Sequence, residues 1–198
     1  MNVLVDGFYF PSHIDPNWLI LIKREIWKDH EYDRYGLNIK EGDIVLDFGA
    51  NVGTFTKYAL NKGAKRVYSF ECDNNYFECL NLNLNQSPNV MLMKGFVSDR
   101  SEEGHFNFVK IFSLFNLTEV DFCKIDIENW EYPLLINSNP IYLKKIKQFA
   151  IEVHEINIFP EKVLQLIEIF SKAGFYVNYE RIHQDSTLGM LYCKRKDI

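Results

Sequence analysis

The hydrophobic pattern of this chain alternates between short apolar runs and longer amphipathic segments. Each apolar run has the length of a buried strand, and the segments between them repeat their apolar residues with the period of a helix. Strands that alternate with helices in this way predict βαβ units and a mostly parallel sheet. In the first half of the chain the predicted strands cover residues 44–48, 66–70 and 90–94, and the predicted helices cover 54–61 and 74–85.

The second half of the chain continues this alternation. Strands are predicted at residues 122–127 and 149–154, and the helix after each of them has a proline in its first turn, Pro133 and Pro160 respectively. The stretch from residue 98 to residue 117 shows no regular period, so we predict irregular structure there.

The two ends of the chain depart from the alternation. Near the start, Asp15 and Pro16 are typical of a helix N-terminus and predict an amphipathic helix within an N-terminal extension or cap over residues 1–40. Near the end, two strands at residues 175–179 and 188–193 are joined by a polar turn that is too short for a helix. We therefore expect them to pair antiparallel at the edge of the sheet.

Composition limits the classes of function. The 198 residues are enough for a single domain with a substantial core, and the content of 47% hydrophobic and 25% charged residues is that of a globular protein. No apolar run approaches the roughly 20 residues of a membrane helix, so we expect no membrane partner. The net charge of -5, with both signs interspersed, argues against a nucleic-acid partner and favours a small-molecule substrate. The sequence leaves the oligomeric state open.

The cysteines and the first residues bear on the cellular compartment. Cys72, Cys79, Cys123 and Cys193 have neither the spacing of a metal site nor that of a disulfide framework. The start of the chain lacks a basic stretch followed by an apolar stretch, so we recognise no secretory signal. We therefore expect a cytoplasmic protein.

The turn GANVG at residues 49–53 joins a predicted strand to a predicted helix. A strand, a glycine-rich turn and a helix N-terminus form a site where the backbone approaches a ligand closely, and an acid about 20 residues later commonly accepts from ribose hydroxyls. Glu71, at the end of the next strand, provides that acid. These features alone fit NAD and S-adenosylmethionine equally well.

Details of the turn favour S-adenosylmethionine. A dinucleotide site needs glycines at the second and third positions of GxGxxG, where this chain has Asn51 and Thr54. Asp47 would repel a diphosphate but attract the ammonium and sulfonium charges of S-adenosylmethionine. Asp99 is a candidate for the adenine end. The predicted cofactor residues are Asp47, Gly49, Ala50, Asn51, Gly53, Thr54, Glu71, Cys72, Asp99 and Asp126.

Titratable side chains end two neighbouring predicted strands. Lys124, Asp126 and Glu128 are two residues apart, as are Glu152 and His154, so each set should share one face of its strand. Ligands of open α/β sheets bind outside the carboxyl ends of the strands. We therefore expect these groups to converge beside the methyl donor.

The same groups predict a catalytic centre. Methyl transfer from a sulfonium is an in-line displacement in which the protein aligns the acceptor and removes its proton. His154, with an ordinary pKa of about 6.5, is the predicted base, and Asp126 or Glu152 orients it or serves as the base instead. Lys124 is expected to pair its amine with Asp126 or Glu152. These carboxylates, Glu128 and His154 could alternatively bind Mg²⁺ or another divalent ion, although we expect a metal-free mechanism.

Four motifs, in order and spacing, carry a family resemblance. VLDFGANVGTFT, VYSFECDNNYFECLNLNL, FCKIDIENWEYPLL and AIEVH resemble the FkbM-type class I methyltransferases, which use S-adenosylmethionine. The resemblance runs from about residue 25 to residue 154. It implies a Rossmann-like α/β sheet of about seven strands, mostly parallel with an antiparallel C-terminal strand, and helices on both faces. It also implies O-methylation of a sugar or natural-product hydroxyl.

The chain departs from the family pattern at two places. Cys72 stands where the family usually has proline, which should alter only the turn. Asn129 and Trp130 replace the usual Gly-Ala, and the tryptophan could stack on substrate or adenine or pack against a helix. Glu131 is expected to be a first-turn acid favoured by the helix dipole.

The predicted function is therefore O-methylation of a small hydroxylated molecule by S-adenosylmethionine. Two alternatives remain: N-methylation of a peptide or another amide, and a non-catalytic protein that binds S-adenosylmethionine. The presence of Asp126, Glu152 and His154 weighs against the second alternative.

Overall fold

A computed structural model of the chain describes residues 1–182 and 187–198. The N-terminal elements are β1 (Asn2–Val5), β2 (Phe8–Pro11) and α1 (Asn17–Trp27). They are followed by β3 (Ile44–Phe48), α2 (Thr54–Asn61), β4 (Arg66–Glu71), α3 (Asn74–Leu84), β5 (Val90–Lys94), β6 (Phe96–Val97), β7 (His105–Phe106) and α4 (Phe108–Leu114). The chain continues with β8 (Val120–Ile125), α5 (Glu131–Ile136), α6 (Pro140–Leu143), β9 (Ile146–Val153), α7 (Pro160–Lys172), β10 (Phe175–Arg181) and β11 (Gly189–Arg195).

The main sheet has seven strands in the order β10-β11-β9-β8-β3-β4-β5. The pairs β3–β4, β3–β8, β4–β5 and β8–β9 are parallel, and β11 is antiparallel to both of its neighbours. The predicted fold class is confirmed. The chain moves from β3 to β4 and β5 on one side and then returns to β8 on the other, so the carboxyl ends of β3 and β8 form the switch point where such sheets bind ligands.

The strands bury both of their faces. Leu46 and Phe48 belong to the core that includes residues of α4, α5 and α7. Val45 and Val67 belong to a second core, which includes residues of α1 and α2. Because neighbouring residues of a strand point to opposite faces, these two cores lie on opposite sides of the sheet. Helices therefore cover both faces, as predicted.

The C-terminal end of β8 differs from the prediction. Its last residue is Ile125 rather than residue 127, and it pairs with Phe48, the last residue of β3. Lys124 therefore lies within the strand, Asp126 directly follows it, and Glu128 lies in a turn with a left-handed φ of 52°. We expected Lys124, Asp126 and Glu128 to share one face of a strand. That prediction is wrong for Glu128, because the pairing of β8 with β3 ends at Ile125 and the chain then enters a turn.

The N-terminal segment and residues 98–117 contain more structure than predicted. β1 and β2 form an antiparallel hairpin ahead of α1. Asp15 accepts a hydrogen bond from the backbone N of Asn17 at 3.0 Å, although Pro16 is the residue that caps the helix. The stretch predicted to be irregular contains β7 and α4, and the side chain of Asn107 caps α4. These elements are too short to show a clear period in the sequence.

The predicted antiparallel pairing of the last two strands is confirmed. β10 lies at the edge of the sheet, and β11 lies between β10 and β9. The polar turn predicted between them includes residues 183–186, which lie outside the described residues. Among the helices of the described ranges, none is both long and apolar enough to cross a membrane.

Candidate functional site

The turn after β3 lies against the end of β8. The backbone N atoms of Gly49 and Ala50 both donate to the carbonyl of Phe70, at 3.0 and 2.8 Å. Gly49 has a φ of 75°, and a Cβ atom at this position would lie 1.7 Å from the carbonyl oxygen of Asp126. Because no side chain fits in that gap, glycine is required for the close contact between the turn and β8.

The second glycine of the turn has a packing role. Gly53 caps α2 with a φ of 94°, and an added Cβ atom would lie 2.5 Å from Leu84 Cδ1 and 2.8 Å from Leu80 Cδ1. Gly53 lines neither of the two cavities described below. Gly53 therefore lets α2 begin in contact with α3. The approach of the backbone to the cofactor that the sequence suggested at this glycine stays a prediction.

Replacing Gly53 by alanine is expected to destabilise the protein by roughly 2–4 kcal/mol, since the change adds backbone strain to a steric overlap. The overlap involves Leu84 Cδ1. Combining Gly53→Ala with Leu84→Ala should therefore cost less than the sum of the two single changes. Urea denaturation of the four proteins measures this coupling. Simple additivity would show that the leucine contact is not the cause.

Glu71 ties the turn to the end of β4. Its side chain is buried, and its two oxygens accept from the backbone N of Asn51 and the backbone N of Asp73, each at 2.8 Å. Burial raises the pKa of Glu71, while these backbone donors act in the opposite direction. Asn51 has a left-handed φ of 51°, which asparagine tolerates better than most residues. The carboxylate thus fixes the turn and borders the adjoining space.

A cavity of about 300 Å³ adjoins the turn, and we call it the turn cavity. Its lining includes Gly49, Asn51, Glu71, Cys72, Phe96 and Trp130. The guanidinium carbon of Arg100 lies 5.1 Å from the centre of the Trp130 ring. The departure from the family pattern at Trp130 therefore places a large aromatic ring in this cavity.

A larger cavity of about 650 Å³ lies beside the first and shares five lining residues with it, Gly49, Asn51, Tyr76, Asp126 and Glu128. We call it the acidic cavity, because its lining includes five carboxylates but only Lys124 and His154 as cationic groups. The carboxylates are those of Glu25, Glu31, Asp126, Glu128 and Glu152. The predicted cofactor residues Ala50 and Thr54 also line this cavity.

Lys124 is held by groups on β3 and β8. Its Nζ atom donates to the Gly49 carbonyl at 2.7 Å and lies 3.3 Å from Asp126 Oδ2 and 3.6 Å from Asp47 Oδ1. Burial opposes the charge, but the carboxylates of Asp126 and Asp47 outweigh it and raise the pKa of Lys124. The expected pairing with Asp126 is present.

Asp47 lies behind this lysine. The side chain is fully buried, accepts from the Thr56 hydroxyl at 2.6 Å and lines neither cavity. Burial raises the pKa of Asp47, and the charge of Lys124 acts against that rise. The attraction to the cofactor that the sequence suggested for Asp47 stays a prediction. Its visible role is to position Lys124.

His154 directly follows β9 and lies between buried and exposed acids. Its Nδ1 lies 3.2 Å from Glu131 Oε1, which also accepts from the His154 backbone N at 2.9 Å. Its Nε2 lies 3.8 Å from Asp126 Oδ1 and 3.9 Å from Glu152 Oε1. The predicted convergence of Asp126, Glu152 and His154 is therefore present.

The charge state of His154 differs from the sequence expectation. Burial acts to lower its pKa, but the hydrogen bond and charge of Glu131 outweigh burial and raise the pKa to about 9. The imidazole therefore carries a proton at neutral pH. The ordinary pKa that the sequence suggested for His154 is not confirmed.

Sequence reasoning missed several groups of this site. Glu131 was expected only as a helix acid, yet it is fully buried against His154, 23 residues further along the chain. Tyr32 donates to Glu152 Oε2 at 3.2 Å, and burial raises the pKa of Glu152 to about 8. Glu31, also in the segment after α1, has its pKa raised to about 7 by burial. No local sequence pattern links these residues, because they meet only in the fold.

Asp99 and Asn129, two other positions that the sequence analysis singled out, line neither cavity. Asp99 accepts from the Asn137 side chain at 2.8 Å and lines neither cavity, so its role at the adenine end stays a prediction. Asn129 has a left-handed φ of 72°, a conformation that favours glycine, the residue the resembled family usually has there. The departure at Asn129 therefore retains the family's backbone turn with a less suitable residue.

Known proteins provide an independent comparison. Residues 25–169 match a family model described as FtsJ-like methyltransferase. The 31-O-demethyl-FK506 methyltransferase FkbM of Streptomyces tacrolimicus is 36% identical to this chain over 61 residues. That alignment covers 30% of this chain and 24% of the relative, so the chain spans about a quarter of that protein.

Solved structures share the fold at low sequence identity. Aeropyrum pernix fibrillarin, crystallised with natively bound S-adenosylmethionine, has a TM-score of 0.61 and 16% identity over 88% of this chain and 74% of its own. A putative rRNA methylase from Clostridium thermocellum has a TM-score of 0.60 and 14% identity over 86% of this chain and 94% of its own. These two likenesses support the fold alone. The family match covers most of the chain, which therefore belongs to the FtsJ-like methyltransferase family, as the methyltransferase class predicted from its motifs led us to expect.

Proposed function

We propose that the protein transfers a methyl group from S-adenosylmethionine to a hydroxyl of a small molecule. The observation that carries this proposal is the contact between the two cavities, which share Gly49, Asn51 and Asp126 at the switch point of the sheet. A cofactor in the turn cavity and an acceptor in the acidic cavity would then meet beside Asp126 and His154.

The residues of the turn cavity fit S-adenosylmethionine. The Glu71 carboxylate can accept from ribose hydroxyls, and Trp130 and Phe96 offer aromatic surfaces to the adenine. The carboxylates beside the turn favour a cationic ligand over a diphosphate, which agrees with the choice against NAD. When bound, S-adenosylmethionine supplies an activated methyl group on a sulfonium centre.

The acidic cavity supports a small acceptor without phosphates. The cavity is lined by five carboxylates and only two cationic groups, so its net negative charge would repel the phosphates of a nucleic-acid backbone. Asp126 and Glu152 can accept hydrogen bonds from an acceptor hydroxyl and so align its oxygen for attack. The proton of that hydroxyl would pass to the carboxylate of Asp126 or Glu152, because His154 already carries a proton at neutral pH, and His154 Nε2 lies within 4 Å of both carboxylates.

The N-terminal segment is proposed to cap the acceptor site. Trp18, Leu21 and Glu25 of α1 line the acidic cavity. Segment 1–40 would thus select acceptors by shape. The surplus of negative charge also fits an acceptor nitrogen, so N-methylation of a peptide or amide remains the second candidate.

Incubation with methyl-labelled S-adenosylmethionine and a panel of acceptors tests the proposal. The panel should contain sugars, other small hydroxylated metabolites, peptides and RNA, with products identified by mass spectrometry. Label transfer to a hydroxyl of a small molecule is expected. Transfer to RNA or to an amide would replace the proposed acceptor class, and cofactor binding without transfer to cell-extract metabolites would favour a non-catalytic binding protein.

Glu71→Gln should weaken binding of S-adenosylhomocysteine by about 1.5–3 kcal/mol, the range for hydrogen bonds to a charged group. Glutamine keeps the shape of the side chain, but its NH2 group cannot accept from one of the two backbone N atoms that Glu71 holds, so urea denaturation must show that the variant keeps the parent's stability. Glu78→Gln, an exposed change on α3, is the matched control and should bind like the parent. Calorimetry measures both variants, and unchanged affinity in Glu71→Gln would refute the ribose assignment.

A further inference from the structure

We infer that Asp126, Glu152 and His154 form a binding site for one divalent cation in the acidic cavity. Each of the three side chains offers a ligand atom, and these atoms all lie within 4.8 Å of one another. Asp126 and His154 follow the ends of the adjacent strands β8 and β9, and Glu152 lies in β9, so the backbone of the sheet fixes their spacing. From the sequence alone we expected a metal-free centre, and the geometry favours the alternative.

The orientation of His154 is the first argument. Its Nδ1 faces Glu131 Oε1 at 3.2 Å, which leaves Nε2 directed to the carboxylates of Asp126 and Glu152. Histidines that bind metals almost always donate their other ring N–H to a carboxylate or carbonyl, which fixes the tautomer and the orientation of the ring. An ion at Nε2 would displace the proton that His154 carries at neutral pH, so binding should release a proton. Glu131 is fully buried and is placed for that role.

The balance of charge is the second argument. The carboxylates of Asp126, Glu128 and Glu152 each have an oxygen within 4 Å of His154 Nε2, at 3.8, 3.5 and 3.9 Å. Lys124, the other cation lining this cavity, lies 3.3 Å from Asp126 Oδ2, but it also donates to the Gly49 carbonyl and faces Asp47 at 3.6 Å, so its charge is shared with a carboxylate outside the cavity. Glu128 is exposed, whereas the side chains of Asp126 and Glu152 are only 29% and 15% exposed. Two partly buried carboxylates this close together are costly unless a cation compensates them, and a divalent ion would supply that charge.

The ligand set indicates the class of ion. Two carboxylates and one imidazole, with Glu128 as a further oxygen donor within reach, suit a hard or borderline ion of the Mn²⁺ or Mg²⁺ type rather than a thiolate-preferring ion. Such ions take about six oxygen or nitrogen ligands, so three protein side chains leave positions open for water or for an acceptor oxygen. If O-methylation is correct, the ion would lie where the acceptor hydroxyl must be aligned.

Titration of the chelator-treated full-length protein with Mn²⁺, followed by electron paramagnetic resonance of the free ion, tests the site without cofactor or acceptor. We expect one ion per chain. Asp126→Asn and His154→Gln should each abolish this binding, and Glu131→Gln should weaken it by about 10–100-fold, as for other carboxylates that orient a metal-binding histidine. Circular dichroism confirms that each variant is folded.

Glu25→Gln is the matched control, because it removes a carboxylate from the same cavity without removing a proposed ligand. It should bind Mn²⁺ nearly as tightly as the parent. The inference is overturned if the parent binds no ion at millimolar Mn²⁺ or Mg²⁺, or if Asp126→Asn and His154→Gln bind like Glu25→Gln. The assay contains no methyl donor, so its failure leaves the proposed methyl transfer standing, and failure of methyl transfer leaves the ion site standing.

Discussion

His154→Ala is expected to lower turnover by about 10²–10⁴-fold while the affinity for S-adenosylhomocysteine stays close to that of the parent. The expectation follows from position: His154 borders the acidic cavity with Asp126 and Glu152 but does not line the turn cavity. A group that acts on the acceptor contributes mainly in the transition state, so its loss reduces kcat more than cofactor binding. Steady-state kinetics and calorimetry measure the two quantities separately.

A control is needed because His154 is buried against Glu131. His154→Gln retains a hydrogen-bonding side chain, and thermal melts identify any loss that arises from unfolding. His13→Ala changes an exposed histidine that lines neither cavity and should leave turnover unchanged. Parent-like turnover in folded His154→Ala would remove this residue from the reaction centre.

Gly49→Ala should destabilise the protein by on the order of 3 kcal/mol or more, because it combines backbone strain with a severe overlap. The added Cβ atom would lie 1.7 Å from the Asp126 carbonyl oxygen, a backbone atom that moves only if β8 moves. The change should therefore also disturb the position of the Asp126 side chain and weaken binding in both cavities.

Gly42→Ala separates the two contributions. Gly42 has a φ of 90°, but an added Cβ atom would meet nothing within 4 Å. Its replacement should cost only the backbone term of about 1–2 kcal/mol. Equal losses of unfolding free energy in the two variants, measured by urea denaturation, would show that the close approach of Gly49 to β8 is unimportant.

The sequence predicted those features that depend on local patterns. The order of strands and helices, the glycine turn and the acid at the end of β4 follow from periodicity and short motifs. Glu71 is a clear case, since its spacing from the turn is enough to suggest its role, and the structure places it against Asn51. The meeting of Asp126 with His154 was also predictable, because parallel strands bring their carboxyl ends together.

Features that depend on the packing of distant segments were not predictable in this way. Glu131 resembles any first-turn acid until the fold places it against His154. Gly53 resembles a ligand-contacting glycine until α3 is seen beside it. Glu31 reaches the acidic cavity only because α1 lies across the sheet. In each case the role of the residue depends on a contact with a residue that is distant along the chain. Neither a helical nor a strand period in the sequence predicts such a contact.

The charge state of His154 was not predictable from the sequence either. An isolated histidine titrates at about pH 6.5. Burial would lower that value, and only the knowledge that Glu131 is the partner of His154 reveals that the pKa rises to about 9 instead. The sign of such a shift depends on which neighbour is present and how completely it is buried, and neither can be obtained from the spacing of residues.

The most direct test of the central claim is a crystal structure of the protein with S-adenosylhomocysteine. We predict that the ligand occupies the turn cavity, with its ribose hydroxyls on Glu71, its adenine beside Trp130 and its sulfur directed to Asp126 at the border of the acidic cavity. Density for the ligand at another place, or a ribose that does not contact Glu71, would contradict the assignment of these two cavities to the methyl donor and its acceptor.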